Sequence, residues 1–295
     1  MSVIEINHIT KDYGRGRGVF DVSFCVERGE VLGFLGPNGA GKTTTIRQLM
    51  GFIKPDSGTL TIRGKDCFEK ADEIERSLGY LPGEIAFMDS MNGMEFIKFI
   101  ANMKKMKDLG RAPRLMELFE LNPAGKLKKM SKGMKQKIGI VCAFMQDPDL
   151  LILDEPTSGL DPLMQNKFVN LILEEKERGK TILMSSHSFE EVEKTCDRAA
   201  IIRAGTLVAV EEMEKLRTGR KKIVRLELAT EEMAARLTAD FSGARQEGRT
   251  VTAKVGTDVD RLIKKASQFT ILDMDIRTQS LEEFFMHFYG GEENA

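Results

Sequence analysis

A glycine-rich loop at residues 36–43 contains the residues whose types and spacing most directly predict chemistry. Its members are Gly36, Pro37, Asn38, Gly39, Ala40, Gly41, Lys42 and Thr43, in the pattern G-x-x-x-x-G-K-T. The glycines let the backbone turn tightly and aim its N–H groups inward. The lysine brings a cation to the β- and γ-phosphates of a nucleotide, and the threonine hydroxyl can ligate Mg²⁺. The loop therefore predicts a site for a nucleoside triphosphate and its metal ion.

Two adjacent acids, Asp154 and Glu155, end the apolar run at residues 150–153. Such a run is typical of a buried strand, and ligands of open α/β sheets bind beyond the carboxyl ends of the strands. We expect Asp154 to hold Mg²⁺, directly or through water, and Glu155 to orient a water molecule and take its proton. Two solvated acids at a strand end are common, but beside a phosphate-binding loop they predict hydrolysis of the γ-phosphate.

Five more polar or aromatic residues could complete such a site. Ser131 is suited to cap a helix, and with the Gly133 amide it forms a helix start that favours anions, although alone this is an ordinary capped helix. His187 follows a strand-like run and could donate a hydrogen bond to a γ-phosphate. Asp161 comes shortly after the acidic pair, and Tyr13 could stack on an adenine ring. A lone histidine, or a tyrosine in a turn, is more often structural. The prediction that His187 and Tyr13 belong to the site therefore depends on the order of the segments along the chain.

Strands and helices must bring these residues together. The apolar residues 31–35 predict a strand before the loop, and Thr44 opens a predicted helix at 44–50 whose N-terminus faces the phosphates. From residue 150 onward, strand-like and helix-like runs alternate. This alternation predicts an α/β fold with a largely parallel sheet.

Changes of sequence character predict two domains. Residues 1–216 would form the nucleotide-binding α/β domain, with a strand-rich start and a mostly helical insert at about 85–146. A polar hinge follows, and residues 217–295 are predicted to form a small α+β domain. Its last element would be an amphipathic helix at 281–289 that packs on its own domain.

Composition and charge argue against several classes of function. The chain has 295 residues with 44 basic and 45 acidic side chains, so no overall basic field indicates a nucleic-acid partner. No apolar run approaches the roughly 20 residues of a membrane helix, and the first residues lack an export signal. We therefore expect a cytoplasmic protein that reaches a membrane only through a partner.

In this order, the segments resemble the ATP-binding cassette family, the nucleotide-binding subunits of ABC transporters. The resemblance covers residues 1 to about 215. It implies a P-loop NTPase fold of the ABC type, with a mixed sheet core, an antiparallel β portion and a helical subdomain, and it implies ATP and Mg²⁺ as ligands. By this resemblance residues 36–43 are the Walker A loop, and Asp154 and Glu155 end the Walker B strand. Residues 131–136 stand where the family has its signature sequence.

The resemblance also assigns roles to the remaining candidates. Asp161 belongs to the D-loop beside the nucleotide, His187 is the switch histidine, and Tyr13 is the aromatic residue that stacks on adenine. The family implies a head-to-tail dimer. Each ATP would lie between the Walker A loop of one subunit and Ser131 and Gly133 of the other.

The sequence departs from the family pattern at two places. Lys132 replaces the first glycine of the signature sequence, and Met134 follows the glycine that remains. Gly83 stands where the family has the Q-loop glutamine, and we expect the adjacent Glu84 to serve in its place near Mg²⁺. These variants, with the C-terminal residues 281–285, resemble the bacterial ABC-2-type exporters of drugs, antibiotics or ions.

Three functions are compatible with these observations. The first is an ATPase subunit that energises a membrane transporter, peripheral on the inner face of the cell membrane. Its transmembrane permease would be a separate chain, and it would form a homodimer or pair with a similar cassette chain. The second is a soluble cassette ATPase acting on DNA or ribosomes, which the neutral charge and the single cassette disfavour. The third is a regulatory protein whose C-terminal domain senses a ligand.

Overall fold

A computed structural model describes residues 1–88, 90–241, 243–256 and 259–284. The chain divides into two compact units, Met1–Met213 and Glu214–Ala295, which are described separately. Among the described residues, no helix combines the length and the apolar character needed to cross a membrane.

The described residues of the first unit form ten strands and most of the helices. Its strands are β1 (Ser2–Asp12), β2 (Gly18–Glu27), β3 (Val31–Leu35), β4 (Ser57–Ile62), β5 (Lys65–Asp66), β6 (Gly79–Leu81), β7 (Leu150–Asp154), β8 (Thr181–Ser186), β9 (Arg198–Arg203) and β10 (Thr206–Glu212). Its helices are α1 (Lys42–Leu49), α2 (Ala71–Arg76), α3 (Gly93–Met103), α4 (Ala112–Leu118), α5 (Lys132–Phe144), α6 (Pro162–Glu177) and α7 (Phe189–Thr195), and α8 (Met213–Thr218) begins at its last residue. A 3₁₀ turn at Leu127–Lys129 precedes α5.

Two sheets share the core of this unit. The larger has the order β10-β9-β3-β8-β7-β6, in which every neighbouring pair is parallel except β10 with β9. The smaller, β2-β1-β4-β5, is antiparallel. Apolar side chains of both sheets and of α1 bury one another, among them Ile6, Phe34 and Ile46. The mixed sheet core with an antiparallel portion, predicted from the sequence, is confirmed.

Strands β3, β7 and β8 are buried along their whole length. Their near-continuous apolar residues are typical of parallel strands covered on both faces. Because these three strands are neighbours, their carboxyl ends lie side by side at one edge of the sheet. Whatever follows them in the sequence is brought to the same place.

A cluster of charges fastens the start of α4 to the end of α6. Arg111 Nη1 donates to Asp147 at 2.9 Å, and Arg111 Nη2 lies 2.6 Å from Oε1 of Glu175. Arg178 donates to the same two acids at 2.6 and 2.9 Å. The Glu175 side chain is only 1% exposed, so these arginines neutralise an acid held inside the protein.

The second unit is a small α+β structure. It comprises β11 (Lys222–Leu228), α9 (Glu231–Ala239), β12 (Arg245–Glu247), β13 (Thr250–Val255), α10 (Val259–Ala266) and β14 (Ile271–Thr278). The sheet is antiparallel with the order β12-β13-β11-β14, and its core includes Leu226 and Leu237. The helix expected at 281–289 is helical at 281–284, and its remainder lies outside the described residues.

Candidate nucleotide-binding and hydrolysis site

The register of the parallel strands gathers three segments that are far apart in the sequence. Leu35, the last residue of β3, pairs with Ser186 of β8. Asp154, the last residue of β7, pairs with Ser185 of the same strand. The glycine-rich loop, the acidic pair and His187 therefore all leave the sheet at one edge, as expected for a ligand site in an open α/β sheet.

The glycine-rich loop surrounds the Lys42 amine with its own backbone. Lys42 Nζ donates to the carbonyl oxygens of Gly36 and Pro37 at 2.6 and 3.1 Å, and the side chain is 5% exposed. Gly41, at the N-cap of α1, has a φ of +112°, and a Cβ there would lie 2.5 Å from Cγ1 of Val19. Only glycine fits that position. The start of α1 leaves backbone N–H groups and the positive end of the helix dipole for an anion.

Lys42, Glu155 and His187 form a chain of charged and polar contacts. Lys42 Nζ lies 3.1 Å from Oε1 of Glu155. His187 Nδ1 lies 2.7 Å from Oε2 of the same carboxylate, at hydrogen-bond distance. The carboxylate of Glu155, the candidate general base, is thus in direct contact with both Lys42 and His187.

Asp154 has the environment of a metal ligand. It is 1% exposed, and its Oδ1 accepts a hydrogen bond from the Ser185 hydroxyl at 2.5 Å. Its Oδ2 is buried without a hydrogen-bond partner in the described part of the chain. A buried carboxylate oxygen of this kind is costly unless a ligand satisfies it.

The donor set fits Mg²⁺. This ion binds through one or two protein oxygens together with substrate phosphates and water. Asp154 and the Thr43 hydroxyl supply hard oxygen atoms, and Thr43 lines the cleft. The described residues contain no group of three or more acidic, histidine or cysteine side chains that could hold a metal without a substrate.

A cleft of about 760 Å³ opens beside these residues. Its walls include Asn38, Thr43, Glu84, Glu155 and His187, so it joins the glycine-rich loop to the general base. The cleft is large enough for a nucleotide. A neighbouring apolar groove of about 550 Å³ shares the wall residue Glu84 with it.

Of the candidates outside residues 36–44 and the acidic pair, four do not line this cleft. The Ser131 hydroxyl caps α5 by accepting the Met134 N–H at 3.2 Å, as predicted. Asp161 caps α6 and accepts the Met164 N–H at 3.0 Å. Gly133 lies in the first turn of α5, and Tyr13 stands in the turn after β1 with 48% of its surface exposed. Within one copy of the chain, none of the four borders the cleft.

The structure adds residues that the sequence did not indicate. The Ser185 hydroxyl donates to Asp154 and also accepts the Glu155 N–H at 2.9 Å. The Gln136 amide donates to the Pro156 carbonyl oxygen at 2.8 Å. The only sequence signal for Ser185 was its place near the end of a strand. The pairing of that strand with β7 places Ser185 beside Asp154.

A buried acid of α7, Glu191, lies close to the segment that contains His187. The Ser186 hydroxyl donates to Oε2 of Glu191 at 2.6 Å, and Thr157 donates to the same oxygen at 3.3 Å. Burial raises the pKa of Glu191 above its ordinary value, because the charged form is disfavoured away from water. Through its two hydrogen bonds, Glu191 links Thr157, which follows β7, to Ser186 at the end of β8.

Comparison with known proteins agrees with this geometry. The family model described as ABC transporter matches residues 19–158. The bacitracin transport ATP-binding protein BcrA of Bacillus licheniformis is 32% identical over 98% of both chains. The linearmycin resistance ATP-binding protein LnrL of Bacillus subtilis is 34% identical, over 70% of this chain and 68% of that protein. A solved ATP-binding subunit of an ABC transporter is 32% identical and has a TM-score of 0.67, over 73% of this chain and 92% of that one.

The chain therefore belongs to the ABC transporter family, as an ATP-binding subunit. It is an ATPase of that family, and its fold is the P-loop NTPase fold of the ABC type. Nothing in the comparisons supports the alternative of a cassette that acts on nucleic acid or ribosomes.

Proposed function

We propose that this chain binds MgATP between two of its copies and hydrolyses it to drive a separate membrane subunit that exports its substrate. The observation that carries the proposal is the convergence of Lys42, Asp154, Glu155 and His187 at one edge of the parallel sheet. Each group has the type and place that hydrolysis of a γ-phosphate requires.

The protein groups divide the chemistry among themselves. The loop N–H groups and Lys42 bind the β- and γ-phosphates, and Tyr13 stacks on adenine. Glu155 orients the attacking water and takes its proton, while His187 fixes the carboxylate and donates to the γ-phosphate as charge develops. Bound Mg²⁺, held by Thr43 and Asp154, would neutralise phosphate charge.

A second copy completes the site. Ser131 and Gly133 begin a helix of 13 residues whose start suits an anion, yet they do not border the cleft of their own chain. In a head-to-tail pair they meet the γ-phosphate of the ATP held by the other copy, and Asp161 lies in the adjoining D-loop. Either a homodimer or a pair with a similar cassette chain satisfies this geometry.

The apolar groove beside the cleft suits a segment of the membrane subunit. Its lining includes Phe52, which is 55% exposed, together with Tyr80 and Met103. Because Glu84 borders both the groove and the nucleotide cleft, a segment seated there would respond to nucleotide. Binding to that subunit holds the chain at the cytoplasmic face of the cell membrane. The names of the two relatives refer to bacitracin transport and linearmycin resistance, and these names favour export as the direction of transport.

Glu155→Gln tests the proposed reaction. The amide keeps the shape of the side chain but takes no proton, so we expect turnover to fall by about 10²–10⁴-fold. ATP should still bind and should convert the variant to a stable dimer, measured by light scattering with and without MgATP. Lys42→Ala is the matched control, because it should lose both binding and the dimer. Wild-type turnover in Glu155→Gln would refute the role of the acid.

Glu84 stands in for the glutamine that the family places at position 83. It borders the cleft, and the glycine before it leaves no side chain to reach Mg²⁺. We expect Glu84→Ala to raise the Mg²⁺ concentration needed for half-maximal turnover while ATP binding without metal is unchanged. A Mg²⁺ titration of Glu84→Ala with the same midpoint as the wild type would contradict the proposal that Glu84 serves in place of the glutamine.

A further inference from the structure

The first turn of α5 is bound to the loop that follows the general base. Lys132 Nζ donates to the Ser158 hydroxyl at 2.8 Å. One turn later, the Gln136 amide donates to the carbonyl oxygens of Glu155 and Pro156 at 3.3 and 2.8 Å. Two long side chains of one helix therefore hold the same short loop.

Two glycines bring this helix and this loop into close contact. A Cβ on Gly133 would lie 2.7 Å from the carbonyl oxygen of Gly159, closer than side chains are found. Gly159 has a φ of +78°, and a Cβ there would lie 2.9 Å from Cγ of Lys132. The lysine stem thus lies directly over a glycine that has no side chain to displace it.

The loop matters because Glu155 has an unfavourable backbone conformation. Its φ is +49°, in the left-handed region that costs a residue with a side chain about 1–3 kcal/mol. Such a conformation persists only where neighbouring contacts hold it. The Glu155 N–H is held by Ser185, and its carbonyl oxygen accepts the Ser158 N–H at 3.1 Å. Ser158 is the residue that Lys132 holds.

We propose that Lys132 is a positioning residue for Glu155. By fixing Ser158, it maintains the turn that aims the general base at the attacking water. This inference rests on the proposed function, since it assigns Glu155 to that chemistry. Lys132 also begins the helix whose Ser131 would contact the nucleotide of the second copy. The contact between Lys132 and Ser158 therefore connects two parts of one copy. One is the start of α5, which would face the second copy, and the other is the loop that holds Glu155.

The test compares Lys132→Met with Lys137→Met in the full chain. Lys137 lies on the same helix and does not border the cleft, so it controls for loss of a lysine from α5. A lost charge-assisted hydrogen bond at an exposed position should lower kcat about 5–10-fold in Lys132→Met. KM for ATP should change less than about twofold, because the residue acts on the base rather than on binding. Lys137→Met should match the wild type.

Further variants separate positioning from direct phosphate binding. Lys132→Arg keeps a donor and should restore most of the turnover. Ser158→Ala should resemble Lys132→Met, and the double variant should be no slower than either one, because both remove a single contact. Lys132→Met combined with Glu155→Gln should still form the ATP-bound dimer.

Several results would overturn the role of Lys132. A raised KM with unchanged kcat would mean that the lysine binds phosphate itself. Multiplicative losses in the double variant would mean that the two residues act independently, and normal turnover in Lys132→Met would remove the effect altogether. Wild-type protein without ATPase activity would instead refute the proposed function, so the two failures are distinguishable.

Discussion

Asp154 and Gly83 show how closely single residues are fitted at this site. A Cβ on Gly83 would lie 2.9 Å from Oδ2 of Asp154, the oxygen without a partner in the described residues. The backbone at position 83 therefore approaches the Asp154 carboxylate so closely that an added Cβ would force one of them to shift. In this loop conformation, glycine at position 83 avoids that close contact, and it also lacks the amide that glutamine would supply.

Gly83→Ala should weaken metal use. The added methyl group must displace either the loop or Asp154, at a cost of about 1–3 kcal/mol for such overpacking. We expect the Mg²⁺ concentration for half-maximal ATP turnover to rise about tenfold. Gly125→Ala is the control, because its Cβ would meet only Cε of Met130 at an ordinary 3.5 Å. Equal Mg²⁺ titrations for the two variants would contradict the steric argument.

Among single residues, the sequence predicted candidates for the chemistry more readily than the residues that hold those candidates in place. The glycine-rich loop and the two acids can be identified from residue type and spacing, because phosphate and Mg²⁺ bind to those groups. Ser185, Gln136 and the contact of Lys132 with Ser158 depend on which strands and helices become neighbours. That information is absent from local spacing.

Elements α4 and α6 are joined by charges rather than by apolar packing alone. Arg178, with Lys180 and Arg111 nearby, lowers the pKa of Asp147 from 3.8 to about 2. A carboxyl group whose pKa is lowered by folding stabilises the protein above its unfolded pKa, and this contribution disappears as the pH falls through the folded pKa. The stabilisation by Asp147 should therefore be complete above about pH 5 and be lost between pH 4 and 2.

Asp147→Asn tests this link between elements. Asparagine tolerates the left-handed backbone of this residue, whose φ is +55°, so the change removes charge with little strain. Because the side chain is partly exposed, we expect a loss of only about 1 kcal/mol at pH 7. The difference in unfolding free energy from the wild type, measured by denaturant titration, should shrink toward pH 2. A difference that is constant with pH would exclude the ionic contribution.

Element prediction succeeded where patterns were apolar. Strands β3 and β7 were expected from the apolar runs at 31–35 and 150–153, and they lie close to those bounds. Strand β12 was not expected, because its three residues, Arg245–Glu247, are all exposed and polar. Such a strand forms through backbone pairing with β13, which leaves no alternation in the side chains to detect.

The whole molecule consists of two units with separate cores. Every residue assigned to nucleotide binding or hydrolysis lies in the first unit, Met1–Met213. The second has its own apolar cluster under its sheet. Deleting the second unit should therefore leave the nucleotide site intact.

A fragment of residues 1–218, which keeps α8 whole, should bind ATP within about threefold of the full chain, because no residue assigned to the site belongs to the deleted segment. Fluorescence titration with a labelled ATP analogue would measure this, and circular dichroism would verify that the fragment is folded. A folded fragment that binds no ATP would show that the C-terminal unit contributes to the site.

The short contact between Lys42 and Glu155 joins the candidate phosphate-binding amine directly to the candidate general base. The amine that attracts phosphate oxygens also neutralises the carboxylate that must accept a proton. A triphosphate that drew Lys42 toward its phosphates would loosen this contact and leave the Glu155 carboxylate open to water.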